Sequence, residues 1–190
     1  MALCIIQGRS QADDVCFDGG RAGIEVMWLN SADKVTDLTF NTERQITAIT
    51  TPIEVGDGFK RFEFEADTAF LNQAKTRTRD GKGAVNVAVQ ISFNLGSLVT
   101  GDLNALENLN QFKRIHAVIR DNNGKYWYAG INYFEPTDTW TNAGLITGEG
   151  SANTGADPTA DAALLTETLV ANSNWYLREY VGTEAEIPVN

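Results

Sequence analysis

Few side chains in this sequence could carry chemistry. There is one histidine, His116, and there are two cysteines, Cys4 and Cys16. His116 alternates with Ile115, Ala117 and Ile119. That is a strand pattern, and it reads as a strand histidine on the wetter face rather than a general base. No Gly-x-Ser-x-Gly, Walker or His-Glu-x-x-His pattern occurs. Cys4 and Cys16 could bridge only in an oxidising compartment, and without a nearby histidine they make a poor metal site. Asp13, Asp14 and Asp18 could meet a hard cation. Calcium wants roughly six or more oxygens in a fixed order, so a solvated acidic turn explains them with less assumption. Thr147-Gly148-Glu149-Gly150 contains a Gly-x-Gly but does not join a strand to a helix, so it is not a dinucleotide loop. Tyr126, Trp127 and Tyr128 could stack on sugars or bases, but packing across a hairpin explains them with less assumption. No catalytic, cofactor-binding or metal-ligating residue is therefore assigned. The expectation is a protein that is not an enzyme and needs no cofactor.

Charge is more informative than motif. The 190 residues carry 15 basic and 25 acidic side chains, net −10. Such a chain should not grip nucleic acid over its whole surface, because phosphate binding needs a positive footprint. The asymmetry is local. Residues 135–190 hold nine acidic residues and one basic, Arg178. The segment 75–83 holds Lys75, Arg77, Arg79 and Lys82 against Asp80, net +3. A basic projection and an acidic far end on one chain invite contact between copies.

The elements that would position these groups follow period two. The segment 22–30 reads as a strand with Ile24, Val26 and Trp28 on one face, and 36–40 and 45–51 are two shorter candidates. Asp57-Gly58 is a hairpin signal. Phe62, Phe64, Ala66, Thr68 and Phe70 alternate with Arg61, Glu63, Glu65 and Asp67. Val85, Val87, Val89, Ile91, Phe93 and Leu95 alternate with Asn86, Ala88, Gln90, Ser92 and Asn94. Residues 60–95 thus read as one long antiparallel hairpin with one wet face and a polar tip. Leu103, Leu106, Leu109 and Phe112 predict one amphipathic helix, closed by Lys113 and Arg114. Asp121-Asn122-Asn123-Gly124 predicts a second hairpin. Residues 135–163 read as a long polar loop, 164–170 and 175–181 as final strands, and 184–190 as a tail. No run of 18 apolar residues predicts a membrane span, and the start has no basic n-region, so it does not read as a signal peptide. The length fits one domain over 1–190.

The order of parts carries a resemblance. A glycine-led strand, Gly19-Gly20-Arg21-Ala22-Gly23-Ile24-Glu25-Val26-Met27-Trp28-Leu29, comes first. Ile46-Thr47-Ala48-Ile49, the Phe62-Glu63-Phe64 strand, the long hairpin and the Leu-rich helix follow. Then come Ala117-Val118-Ile119-Arg120-Asp121-Asn122-Asn123-Gly124-Lys125-Tyr126-Trp127 and a glycine-rich stretch before a last strand pair. This resembles small virion proteins of the tail tube and neck ring type, as in crAss-like and other phages of Bacteroidetes. The resemblance implies a mainly β fold, an antiparallel β-sandwich or barrel with one flanking α-helix. It implies a virion protein made in the host cytoplasm, forming a ring of six or more copies. That ring would contact other tail or neck proteins and line a channel through which genome DNA passes without specific binding or any membrane contact. On this reading Glu63, Glu65, Asp67, Asn86 and Gln90 would face the channel, and Lys75, Arg77, Arg79 and Lys82 would meet a neighbouring copy. The alternative expectation is a carbohydrate- or receptor-binding β-sandwich module of a virion.

Overall fold

The computed structural model describes residues 23–52, 58–64, 68–77, 85–95, 100–134, 137, 139–153 and 164–189. The strands are β1 (Ile24–Ser31), β2 (Asp37–Phe40), β3 (Ile46–Thr50), β4 (Lys60–Glu63), β5 (Ala69–Arg77), β6 (Val85–Leu95), β7 (Ile115–Asp121), β8 (Tyr126–Ala129), β9 (Ile131–Phe134), β10 (Thr139–Asn142), β11 (Ile146–Thr147), β12 (Ser151–Asn153), β13 (Leu164–Ser173) and β14 (Arg178–Tyr180). One helix, α1 (Thr100–Gln111), stands between β6 and β7. No helix among the described residues is long and apolar enough to cross a membrane.

Two large sheets make a mainly β, sandwich-like fold rather than a closed barrel. One has seven strands in the order β2-β3-β14-β8-β7-β1-β4. The other has five, β11-β13-β6-β5 with β12 also on β13, and β9–β10 form a separate ribbon. Strand pairing is antiparallel except where β14 meets β3 at Tyr180 and Ile46. The sheets pack through a shared apolar layer. Val87, Val89, Ile91 and Phe93 of β6, with Leu165 and Leu169 of β13, face Met27, Leu29, Ile115, Ala117 and Ile119. Leu109 of α1 and Leu145 close this layer. Each large aliphatic buried there is worth roughly 1.5–3 kcal/mol relative to exposure.

A second core covers the other face of the seven-stranded sheet. It joins Val26, Trp28, Val118 and Tyr128 to Leu38, Ile46, Ile49, Phe59, Tyr180 and Ile187. This explains why β1 and β7 are buried along nearly their whole length. It also corrects the expected face of β1. The register shifts between Ile24 and Val26, a bulge, so Ile24 packs with Met27 while Val26 and Trp28 face the second core.

Several expectations change. Residues 60–95 do not form one hairpin. β4 pairs with β1 in the seven-stranded sheet, while β5 pairs with β6 in the other, so the chain changes sheets between them. The change reverses the alternation: Ala69 is buried and Phe70 is 43% exposed. β3 and β4 are not neighbours, so the Asp57-Gly58 signal does not join a hairpin; Asp57 lies outside the described residues. The helix ends at Gln111, before Lys113 and Arg114, and Phe112 is exposed. The side chains of Leu103 and Leu106 lie outside the described residues. Residues 135–163 hold three short strands, β10 to β12, rather than a plain loop. Residues 184–189 are not a loose tail: Thr183 and Glu186 make a capping box, Ile187 is buried, and Phe59 N–H donates to Pro188 C=O at 2.7 Å. Cys4, Cys16, Asp13, Asp14 and Asp18 lie outside the described residues.

Candidate functional site

The strongest surface feature is the outer face of the five-stranded sheet. The register β5–β6–β13 places Phe70 beside Ser92 and Thr168, Asn72 beside Gln90 and Val170, and Ala74 beside Ala88 and Asn172. Thr76 and Asn86, with Asn94 and Thr166, complete this face at its two ends. None of these side chains is charged, although 21% of the chain is charged. A shallow cavity of about 410 Å³ lies elsewhere, between α1 and the β1–β4 edge, lined by Leu29, Phe62, Leu109 and Phe112. The neutral face carries its own groove of about 350 Å³, bordered by Arg114, Gly144 and Ile146.

The residues expected to face a channel fall in different places. Asn86 and Gln90 are exposed on the neutral face. Glu63 is exposed too, but on the other sheet, ion-paired with Arg61, which also reaches Glu184 at 3.1 Å. Glu65 and Asp67 lie outside the described residues. The structure therefore brings Asn86 and Gln90 together and leaves Glu63 apart. Of the expected contact residues, Lys75 and Arg77 are exposed within β5, the edge strand, and not in a projecting tip. Arg79 and Lys82 lie outside the described residues.

Lys75 leads to residues that sequence reasoning passed over. Its Nζ lies 5.8 Å from the Trp175 ring and 5.6 Å from Tyr176. The Arg178 guanidinium lies 4.4 Å from Tyr133 and 5.7 Å from Trp175. Trp175 and Tyr176 are 44% and 45% exposed. They sit on a turn between β13 and β14, where the sequence predicted a strand start. Side-chain bonds to the backbone fix that turn. Ser173 Oγ donates to Ile131 C=O at 3.0 Å, and Asn174 Nδ2 donates to Tyr133 C=O at 2.7 Å. Asn174 Oδ1 accepts from Tyr133 N–H, Asn132 Oδ1 accepts from Asn174 N–H, and Gln73 Oε1 accepts from Leu177 N–H. The run Ser173-Asn174 was the available signal, since both residues favour such local bonds over strand pairing.

His116 is not on a wet face. It is fully buried, because the second core covers that side of β7. Its Nδ1 lies 2.7 Å from the Tyr128 hydroxyl and its Nε2 lies 3.2 Å from Asn142 Oδ1. One tautomer serves both: Nε2–H donates to Asn142 and the Tyr128 hydroxyl donates to Nδ1. Burial pushes the His116 pKa down to about 4, partly offset by the Asn142 bond. Burial also holds the Tyr128 hydroxyl well above its ordinary value. The pair is a satisfied buried network, closed to substrate. Among the described residues, no group of three or more His, Cys, Asp or Glu could hold a metal ion. The aromatics Tyr126 and Trp127 lie on β8 within the seven-stranded sheet, half-buried; Trp127 Nε1 donates to Asp121 at 2.9 Å. No family model, curated protein or solved structure matches the chain.

Proposed function

We propose that this chain is a structural virion subunit that associates with copies of itself into a ring, of the tail tube or neck type. The outer face of the five-stranded sheet would line the channel. The observation that carries this reading is that the outward strand residues of that face, from Phe70 across to Asn172, bear no charge; Arg114 stands at the border of the groove, where it donates to Asn142 C=O at 2.8 Å. A wall that DNA must slide past cannot hold phosphates, and Lys or Arg there would bind the backbone with strong salt dependence. Asn, Gln, Ser and Thr keep such a wall wetted without anchoring the duplex. The sheet also has the edges a ring requires. β5 bounds one side and β11 with β12 the other. An edge strand offers unpaired N–H and C=O groups to a neighbouring chain, and β5 is exposed along most of its length. Joined edges would make a continuous lining.

Negative-stain imaging and sedimentation of the purified protein over a range of concentrations test this directly. The expected result is closed rings of uniform copy number. A protein that stays monomeric at its highest soluble concentration would overturn the reading.

A further inference from the structure

The Trp175–Tyr176 turn has the composition and stiffness of a recognition surface. Trp, Tyr and Arg dominate the energetics of protein interfaces. Here two half-exposed rings meet two cations, Lys75 and Arg178. The turn is tied to β9 and β5 by the bonds from Ser173, Asn174 and Gln73. Fixed aromatics lose little conformational entropy on binding. The cations choose the partner. A sugar would need a ring face with neutral donors and acceptors around it, whereas Lys75 stands over both rings and Arg178 over one. Two cations beside half-exposed rings suit carboxylates.

The register shows where this chain presents a carboxylate. Lys75 pairs with Val87 of β6. Glu149 is exposed between β11 and β12, level with Glu167 of β13, which pairs with Phe93. Those levels are six residues apart along β6, so roughly 20 Å along the strand axis. The basic aromatic end and the acidic end therefore lie at opposite ends of the same sheet. We infer that the Lys75–Trp175–Tyr176–Arg178 surface docks the acidic β11–β12 turn, centred on Glu149, of a second copy of this chain. Because the two surfaces differ and lie at opposite ends of the strands, the contact is head-to-tail and joins copies end to end.

The inference rests on the chain being a self-assembling subunit, and the experiment separates the two. Rings in micrographs report on that reading; end-to-end joining reports on the docking surface. Sedimentation and imaging would compare wild type with Lys75→Glu, Glu149→Lys, the double variant and Trp175→Ala, at low salt and at roughly 1 M salt, where the screening length falls to about 3 Å. Circular dichroism would verify the fold of each variant; Lys75 and Glu149 are exposed. Wild type should join end to end at low salt and separate at high salt. Each single charge reversal and Trp175→Ala should weaken joining by about tenfold or more. The double reversal should regain it. Any of these results would overturn the inference: Lys75→Glu joining like wild type, a double variant no better than the singles, or a neutral oligosaccharide bound by wild type and lost in Trp175→Ala. Rings without end-to-end joining in wild type would overturn it and leave the ring reading standing.

Discussion

A proton added to His116 would enter a site closed to solvent, between the Tyr128 hydroxyl and Asn142. The folded pKa is about 4 against an ordinary 6.5. Between those values the unfolded chain binds a proton that the folded chain refuses. Stability is therefore full above pH 6.5 and is lost as pH falls toward 4, by roughly 3 kcal/mol if the whole shift is expressed. Denaturant midpoints of wild type and His116→Gln across that window test this. The variant should lose stability at neutral pH but show a flatter acid limb; equal slopes would assign the acid sensitivity to other groups. Gly130 supports the same site. Its φ is +118°, and a Cβ there would lie 2.6 Å from His116 Cδ2, so Gly130→Ala would disturb the ring directly. The strand around His116 was legible from its alternation. Its burial was not, because the cover comes from Gly130, Trp140 and Asn142, which lie beyond the strand's own alternation. Period two shows that two faces differ from each other. It does not show whether the second face is also covered.

At the scale of elements, the alternation from Arg61 to Phe70 marks two strands with a change of sheet between them. No residue type announces that change, since Phe70 continues the spacing of Phe62 and Phe64 although it faces outward. The consequence is a testable contrast between two phenylalanines. Phe93 is fully buried and packs against the tilted ring of Phe64 at 5.4 Å between centroids, whereas Phe70 is exposed. Phe93→Ala should cost roughly 3–5 kcal/mol and Phe70→Ser less than about 1 kcal/mol, read from urea unfolding midpoints. Similar losses would mean that β5 faces the core with the opposite side. β6 was fully legible because both its faces are plain: Val, Ile and Phe inward, Asn, Gln and Ser outward. The closing segment was legible too, had the Thr183-Glu184-Ala185-Glu186 pattern been read as a capping box ahead of Ile187. The turn at Trp175 was hidden by its own aromatics, which have strong strand propensity; Ser173 and Asn174 override that propensity with side-chain bonds to the backbone.

For the whole molecule, the acidic balance and the neutral face act together. In the proposed ring, a net charge of −10 would keep DNA off the outside, and the uncharged strand residues of the inner face would offer it no cation. Wild-type protein should show no retention of duplex DNA at physiological salt. Asn86→Lys with Gln90→Lys changes two exposed positions of that face and should give salt-dependent retention while the fold persists. Fluorescence anisotropy with labelled duplex reads both, and wild-type retention equal to the double variant would overturn the proposed channel role of this face. The mainly β sandwich with one helix was legible from the sequence, while strand order was not, since it depends on pairings between distant segments. The position of β14 has a further consequence in time. It lies between β3 and β8, near the middle of the seven-stranded sheet, and Tyr180 is the residue that meets Ile46. During translation the β2–β3 hairpin emerges early, with Leu38, Ile46 and Ile49 unsheltered. It must wait through the synthesis of every intervening strand before the piece that welds it to β8 leaves the ribosome. A nascent chain paused short of Tyr180 is a sheet in two halves, each showing the other a sticky edge.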